Sequence, residues 1–137
     1  MDKVQPSVVQ AEVALILDAG ALLAVDRRNR MVGAVLEEAR RDQLTISTSA
    51  AALAQVWRNG ARQANLLPVL RGIAIASLDR LAAQRVGELL GTSRTRDVVD
   101  AHVALLVDPG DTILTSEAAD LTRLLHTRHV RASVVQV

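Results

Sequence analysis

The chain has 137 residues, half of them apolar and 23% charged, with a formal net charge of +1. That length fits one compact domain with its own core. The balance excludes a disordered tail and a strongly basic nucleic-acid clamp. With no cysteine in the sequence, disulfides, Cys-ligated zinc, iron–sulfur clusters and thiol catalysis are excluded as well. Arginine supplies fifteen of the sixteen basic residues and Lys3 the other, so chemistry that depends on a buried lysine has no good candidate. Trp57 is the one aromatic residue, which leaves no Phe or Tyr platform for stacking bases. Asp2, Lys3 and Glu12 break up the start of the chain, unlike a signal peptide, and no apolar run is long enough for a membrane span. These features predict a soluble cytoplasmic protein without membrane association.

In chain order, residues 13–17 (VALIL) are continuously apolar, the pattern of a strand covered on both faces. Apolar residues at three- and four-residue spacing predict a helix over 30–41. A second strand is predicted over 44–47, a helix over 50–58 and a third strand over 73–76. Asp79 stands where an N-cap belongs, before a predicted helix over 79–90 that Gly91, Thr92 and Ser93 end as a flexible stretch. A new helix is predicted over 98–107, starting at Asp97, and Asp108-Pro109-Gly110-Asp111 reads as a turn. A fourth strand follows over 112–115, a helix over 118–127, and an edge strand over 132–137. Strand–helix alternation throughout predicts an α/β domain with a mostly parallel sheet of four to five strands. The reading is a single domain over 1–137, with residues 1–12 as a flexible N-terminal extension.

In an open parallel sheet, ligands bind beyond the carboxyl ends of the strands. Asp18 follows the first strand there, and Glu117 the fourth, with Asp120 three residues on. Asp97 and Asp100 share one face of a helix start, because residues three apart on a helix are neighbours. Five carboxylates from three segments are thus placed to converge on one sheet edge. Crowded carboxylates repel and must protonate, separate or bind a cation. A hard-oxygen set without Cys or closely paired His favours Mg²⁺ or Mn²⁺ over zinc. Such ions suit phosphodiester hydrolysis. Each acid alone could equally be a helix cap or a first-turn anion favoured by the helix dipole. Asp26, Asp42, Asp108 and Asp111 read as turn or surface residues. His102 reads as a helix residue beside the site or in the core, and His126 and His129 as helix-end residues.

Three ordered segments resemble the signatures of PIN-domain ribonucleases: LILDAGALL from Leu15, VDAHVA from Val99, and TSEAADL from Thr115. Among these the chain is most similar to the VapC toxins of bacterial toxin–antitoxin pairs. The resemblance implies a three-layer α/β/α fold, an acidic cluster binding Mg²⁺ or Mn²⁺, and endonucleolytic cleavage of RNA. It also implies a homodimer and a cognate antitoxin protein. Asp18 matches the acid after the first strand, and Asp100 the acid that opens the central helix, with Asp97 a turn earlier as a helper. Glu117 stands where the family usually has Asp, and Asp120 matches the second acid of that motif. Asp18, Asp100, Glu117 and Asp97 are therefore the expected metal residues. The seventeen residues before Asp18 exceed what this motif usually carries, which puts Met1 in question as the natural start.

The departure is Gln55, where the family has Glu. An amide can accept a hydrogen bond from water or touch a metal, but it brings no negative charge and cannot act as a base. An active nuclease with a weakened metal site is the favoured reading. A catalytically weak RNA- or protein-binding relative and a metal-dependent phosphatase are the alternatives. The P-loop, dinucleotide and acyl-hydrolase motifs are absent. Substrate grip falls to arginine, whose guanidinium forks onto phosphate oxygens. Arg27, Arg28 and Arg30, Arg58 and Arg62, and Arg94 and Arg96 form three clusters close in sequence to the acids.

Overall fold

The computed structural model describes residues 13–137; the extension expected over 1–12 lies outside the described residues. The strands β1 (Ala14–Leu17), β2 (Thr45–Ser49), β3 (Ala74–Ala76), β4 (Thr112–Thr115) and β5 (Ser133–Gln136) form one sheet of order β3-β2-β1-β4-β5. Every pairing is parallel. Among the described residues seven helices flank it: α1 (Ala19–Asp26), α2 (Arg30–Arg41), α3 (Ala50–Val56), α4 (Leu66–Arg71), α5 (Arg80–Ser93), α6 (Val98–Leu106) and α7 (Ala118–Thr127). Helices α1 to α4 pack among themselves, as do α5 to α7, and α3 touches α6. The result is a three-layer α/β/α arrangement.

The central strand β1 is continuously apolar because helices cover both of its faces. Leu15, Ile16 and Leu17 of β1 and Ile113 and Leu114 of β4 are all buried. Helices add Leu22, Leu36, Leu66, Val103, Leu121 and Leu124 to the same core. Each such side chain stabilises the fold by about 1.5–3 kcal/mol relative to exposure. The edge strands β3 and β5 are short and partly exposed, which limits pairing with other chains.

The chain departs from the sequence-based expectations at several points. Helix α1 is not visible as an amphipathic pattern, since its sequence AGALLAVD is apolar almost throughout and offers no contrast between faces. Helix α4 contains Pro68, tolerated because it lies in the first turn, where no intrahelical N–H bond is lost. Strand β2 runs on to Ser49, two residues beyond its predicted end. Helix α3 stops at Val56 rather than residue 58, with Trp57 in an extended conformation. Helix α5 does not fray at Gly91 but continues through Ser93 and ends on Arg94 in the left-handed region, φ 57°. Arg123 holds that end by donating from Nη2 to the Ser93 carbonyl at 3.2 Å.

Asp111 is a further correction. It closes the turn, its N–H donating to the Asp108 carbonyl at 3.1 Å, but is buried rather than on the surface, at 2% exposed. One carboxylate oxygen accepts from the Ala14 N–H at 2.9 Å and the other from the Asp108 N–H at 2.8 Å. It thereby ties the amino end of β1 to the turn before β4. Both bonds lie at the end of the sheet away from Asp18.

Candidate active site

The sheet order reverses at β1: the chain moves outward through β2 and β3, then returns to place β4 on the other side of β1. Such a switch point leaves a crevice at the carboxyl ends of the two adjoining strands. A cleft of about 480 Å³ opens there. Asp18, Gln55, Asp97, Asp100 and Glu117 all line it, together with Arg58 and Ser116. Asp120 does not. It lines an adjoining hollow whose wall Asp97 and Asp100 share. The structure thus brings four of the five expected carboxylates into one cleft and sets the fifth behind them.

Asp18 is placed by backbone geometry. It caps α1 through Oδ1, which accepts from the Ala21 N–H at 2.7 Å. Its Oδ2 accepts from the Ser116 N–H at 3.2 Å, across the β1–β4 junction. Thr115, fully buried, accepts the Glu117 N–H on its hydroxyl oxygen at 2.7 Å and hydrogen-bonds Asp18 through its side chain. One threonine therefore couples both acids. Burial pushes the Asp18 carboxyl above its ordinary value, and the bonds from Thr115, Ala21, Ser116 and Gly20 work against that rise. Gly20 is required by close approach: a Cβ there would overlap the Ser116 side chain.

Asp97 caps α6, its Oδ1 accepting the Asp100 N–H at 2.9 Å. The capping reading and the acidic-site reading hold together for this residue, as they do for Asp18. Asp100, 8% exposed, is different. Among the described residues no hydrogen bond reaches its carboxylate. Burial pushes it up to about 7, and the charges of Asp97, Asp18, Glu117 and Asp120 add to that shift. A buried carboxyl without a donor, surrounded by like charges, is a position that a cation relieves.

Among the described residues no group of three His, Asp or Glu side chains is placed to hold a metal ion by itself. Mg²⁺ does not require one, because it keeps several waters and takes one or two carboxylates together with substrate phosphate. Asp18 retains acceptor capacity after its hydrogen bonds, since each carboxylate oxygen offers about two lone-pair sites. The residues present therefore fit a hard divalent cation. Gln55, exposed on the last turn of α3, offers only a neutral amide to the cleft. Among the described residues Arg58 is the one cationic side chain in its wall.

A buried pair behind the cleft was not foreseen. Ser49 Oγ accepts the Ala51 and Ala52 N–H groups at 2.9 and 3.2 Å and stands 2.6 Å from His102 Nδ1. With its acceptor sites in use, the hydroxyl donates to Nδ1, which assigns the ring proton to Nε2. Burial lowers the His102 pKa, against the backbone hydrogen bond with Ser77 and the charge of Asp79. The neutral ring locks the start of α3, which carries Gln55, onto α6, which carries Asp100. His102 is thus in the core, one of its two predicted places. The signal available in sequence was Ser49 as an N-cap; its histidine partner lies 53 residues away.

The all-parallel sheet of this order, with its crevice at the β1–β4 switch, is a PIN-like α/β fold. A chain in the crystal structure of VapBC2 from Rickettsia felis, bound to a DNA fragment from the promoter, has the same fold, with a TM-score of 0.65. The match covers 89% of this chain and 98% of that one at 15% sequence identity, so the likeness is one of fold. No protein-family model and no curated protein matches the sequence. Among the described residues no helix is long and apolar enough to cross a membrane.

Proposed function

We propose that the protein is a metal-dependent endoribonuclease of the PIN type, the cytoplasmic toxin of a toxin–antitoxin pair. The observation that carries this reading is Asp100, a buried carboxyl with no hydrogen-bond donor, facing three other acids in a cleft at the switch point. Asp18, Asp100 and Glu117, with Asp97, would hold Mg²⁺ or Mn²⁺. When bound, the ion supplies Lewis-acid stabilisation of the phosphate and a more acidic water. Gln55 orients a water through its amide oxygen, and Arg58 offers its guanidinium to a phosphate oxygen across the cleft. Asp120 supports Asp100 from the adjoining hollow. The VapBC2 likeness supports an antitoxin partner that masks the cleft, and the family resemblance supports a homodimer.

Incubation with total RNA in Mg²⁺, Mn²⁺ or EDTA tests the reading. Discrete cuts that disappear in EDTA and in Asp100→Asn are expected. Turnover of small phosphate esters without RNA cleavage would replace it with a phosphatase. The neutral Gln55 in the cleft favours one second reading, a PIN-like module that binds RNA or a protein without cutting. RNA binding with no cleavage in either metal would establish that reading instead.

A further inference from the structure

A second cavity, of about 310 Å³, lies where α1 ends, α2 begins and α4 passes. Its polar wall is Arg28, Asn29, Arg30 and Arg40, and among the described residues no carboxylate lines it. We propose that this cavity binds a backbone phosphate of the RNA strand whose scissile bond lies in the acidic cleft, a subsite that rests on the ribonuclease reading.

Three features make the cavity a built site. Arg28 has a left-handed backbone, φ 58°, a conformation more usual for Gly or Asn. Its Nε donates to Asn65 Oδ1 at 3.1 Å, which fixes the side chain through one N–H and leaves four donors on the guanidinium. The cavity runs from the start of the twelve-residue α2 along that helix to Arg40 in its last turn, and the helix dipole favours an anion at the starting end. Three arginines, with no acid lining the cavity among the described residues, then give it a charge that a phosphate neutralises.

A strap of chain, residues 57–65, runs from the acidic cleft to this cavity. Gln63, 5% exposed, folds the strap back on α3: its Oε1 accepts the Arg58 and Asn59 N–H groups at 2.8 and 3.1 Å, and its Nε2 donates to the Val56 carbonyl at 3.0 Å. Asn65 anchors the other end, donating to the Asp26 carbonyl at 3.0 Å while it holds Arg28. Arg58 in the cleft and Arg28 in the cavity thus stand at the two ends of this strap, with Arg62 between them in sequence. Gly20 in the cleft and Asp26 at the end of α1 are six residues apart, and Arg28 lies two residues past that end. Six residues are about 9 Å of helix rise, or about three nucleotides at about 3.4 Å per stacked nucleotide.

Gly33 provides the test, because it lines the cavity and a Cβ there meets nothing within 4 Å. Gly33→Glu and Gly33→Gln are compared in an Asp100→Asn background, which keeps the RNA uncut, with Gly33→Ala as a control for folding by thermal melting. A labelled single-stranded RNA of about ten nucleotides is titrated in Mg²⁺ at several salt concentrations. Gly33→Glu is expected to bind at least about tenfold more weakly than Gly33→Gln. Arg40→Gln is expected to lower the slope of log affinity against log salt by about one. Equal affinity of the Glu and Gln variants overturns the subsite, and does so while metal-dependent cleavage by the chain with Asp100 leaves the nuclease reading standing. Loss of binding to a polyglutamate peptide, with RNA binding unchanged, overturns it in favour of a protein surface. Charge-sensitive RNA binding in a chain that never cuts keeps the subsite and removes the nuclease. No RNA binding by any variant removes both.

Discussion

Asp97 Oδ1 accepts the backbone N–H of Asp100 at 2.9 Å, so the residue that caps α6 is also the largest charged influence on the acid that follows it. Two consequences of one side chain can be separated by substitution. Asn caps helices as well as Asp does, whereas Ala costs about 1 kcal/mol. Asp97→Asn is expected to melt near the unsubstituted protein, and Asp97→Ala several degrees lower. Both should bring the Asp100 pKa down, read by NMR titration of its carboxyl carbon. An unchanged Asp100 titration in both would mean that burial alone sets it.

The raised pKa of Asp100 has a sign in stability. Its carboxyl titrates at about 7 in the folded chain against an ordinary value of 3.8. Between those values the folded state holds a proton that the unfolded state has lost, so this group makes stability fall as pH rises. The slope is up to about 1.4 kcal/mol per pH unit. Asp18, also raised, acts in the same direction, while His102, lowered, favours folding as pH rises through its own range. Urea unfolding without metal, from pH 4.5 to 7.5, should therefore lose slope in Asp100→Asn. Parallel curves for the two proteins would contradict the assignment.

Adding the missing charge should tighten the metal site. Gln55→Glu places a fifth carboxylate in the wall of the cleft, where the affinity for Mn²⁺ measured by calorimetry is expected to rise severalfold. If RNA is cut, half-maximal cleavage should need correspondingly less metal. No change in either measurement would mean that residue 55 stands outside the coordination sphere.

Gly20 and Ser116 form a packed pair across the β1–β4 junction. Gly20→Ala is expected to destabilise the protein by about 1–3 kcal/mol through overpacking. Its methyl would displace the segment whose N–H holds Asp18 Oδ2. Removing the Ser116 side chain should rescue it, so the double variant Gly20→Ala with Ser116→Gly is expected to show a favourable coupling energy in a double-mutant cycle.

Ser49→Ala removes a cap and an imidazole partner together. The cap loss is worth about 1 kcal/mol, and the unpaired His102 Nδ1 adds about 1–3 kcal/mol. Denaturant unfolding should show more than the cap value alone. A loss confined to the cap would mean that water replaces the hydroxyl at Nδ1.

Local chemistry was readable from the sequence. Residues 13–17 show as a strand because burial on both faces demands a continuous apolar run, and residues 112–115 as a β-branched run around Ile113 and Leu114. Asp79 and Asp97 show as helix starts because capping uses short side chains at fixed offsets. Asp18 and Glu117 show as strand-exit acids by position alone. Helix α1 was not readable, because a helix packed on several sides has no polar stripe to mark its period. The buried role of Asp111 was hidden for another reason: Ala14, its main-chain partner, is 97 residues away.

What the sequence by itself determined is all five strands and most of the helices, the carboxylate chemistry and the neutral departure at Gln55, since these depend on residue type and short-range spacing. Only the tertiary structure decided which acids meet. The sheet order seats β4 beside β1, so that Asp18 and Ser116, 98 residues apart, share a hydrogen bond. It also set Asp120 behind the cleft, left Asp100 without a donor among the described residues and placed a near-neutral chain's arginines in that cleft and around a second cavity. Net charge sums over the whole chain, whereas a phosphate meets only the charges that folding brings within a few ångströms of it.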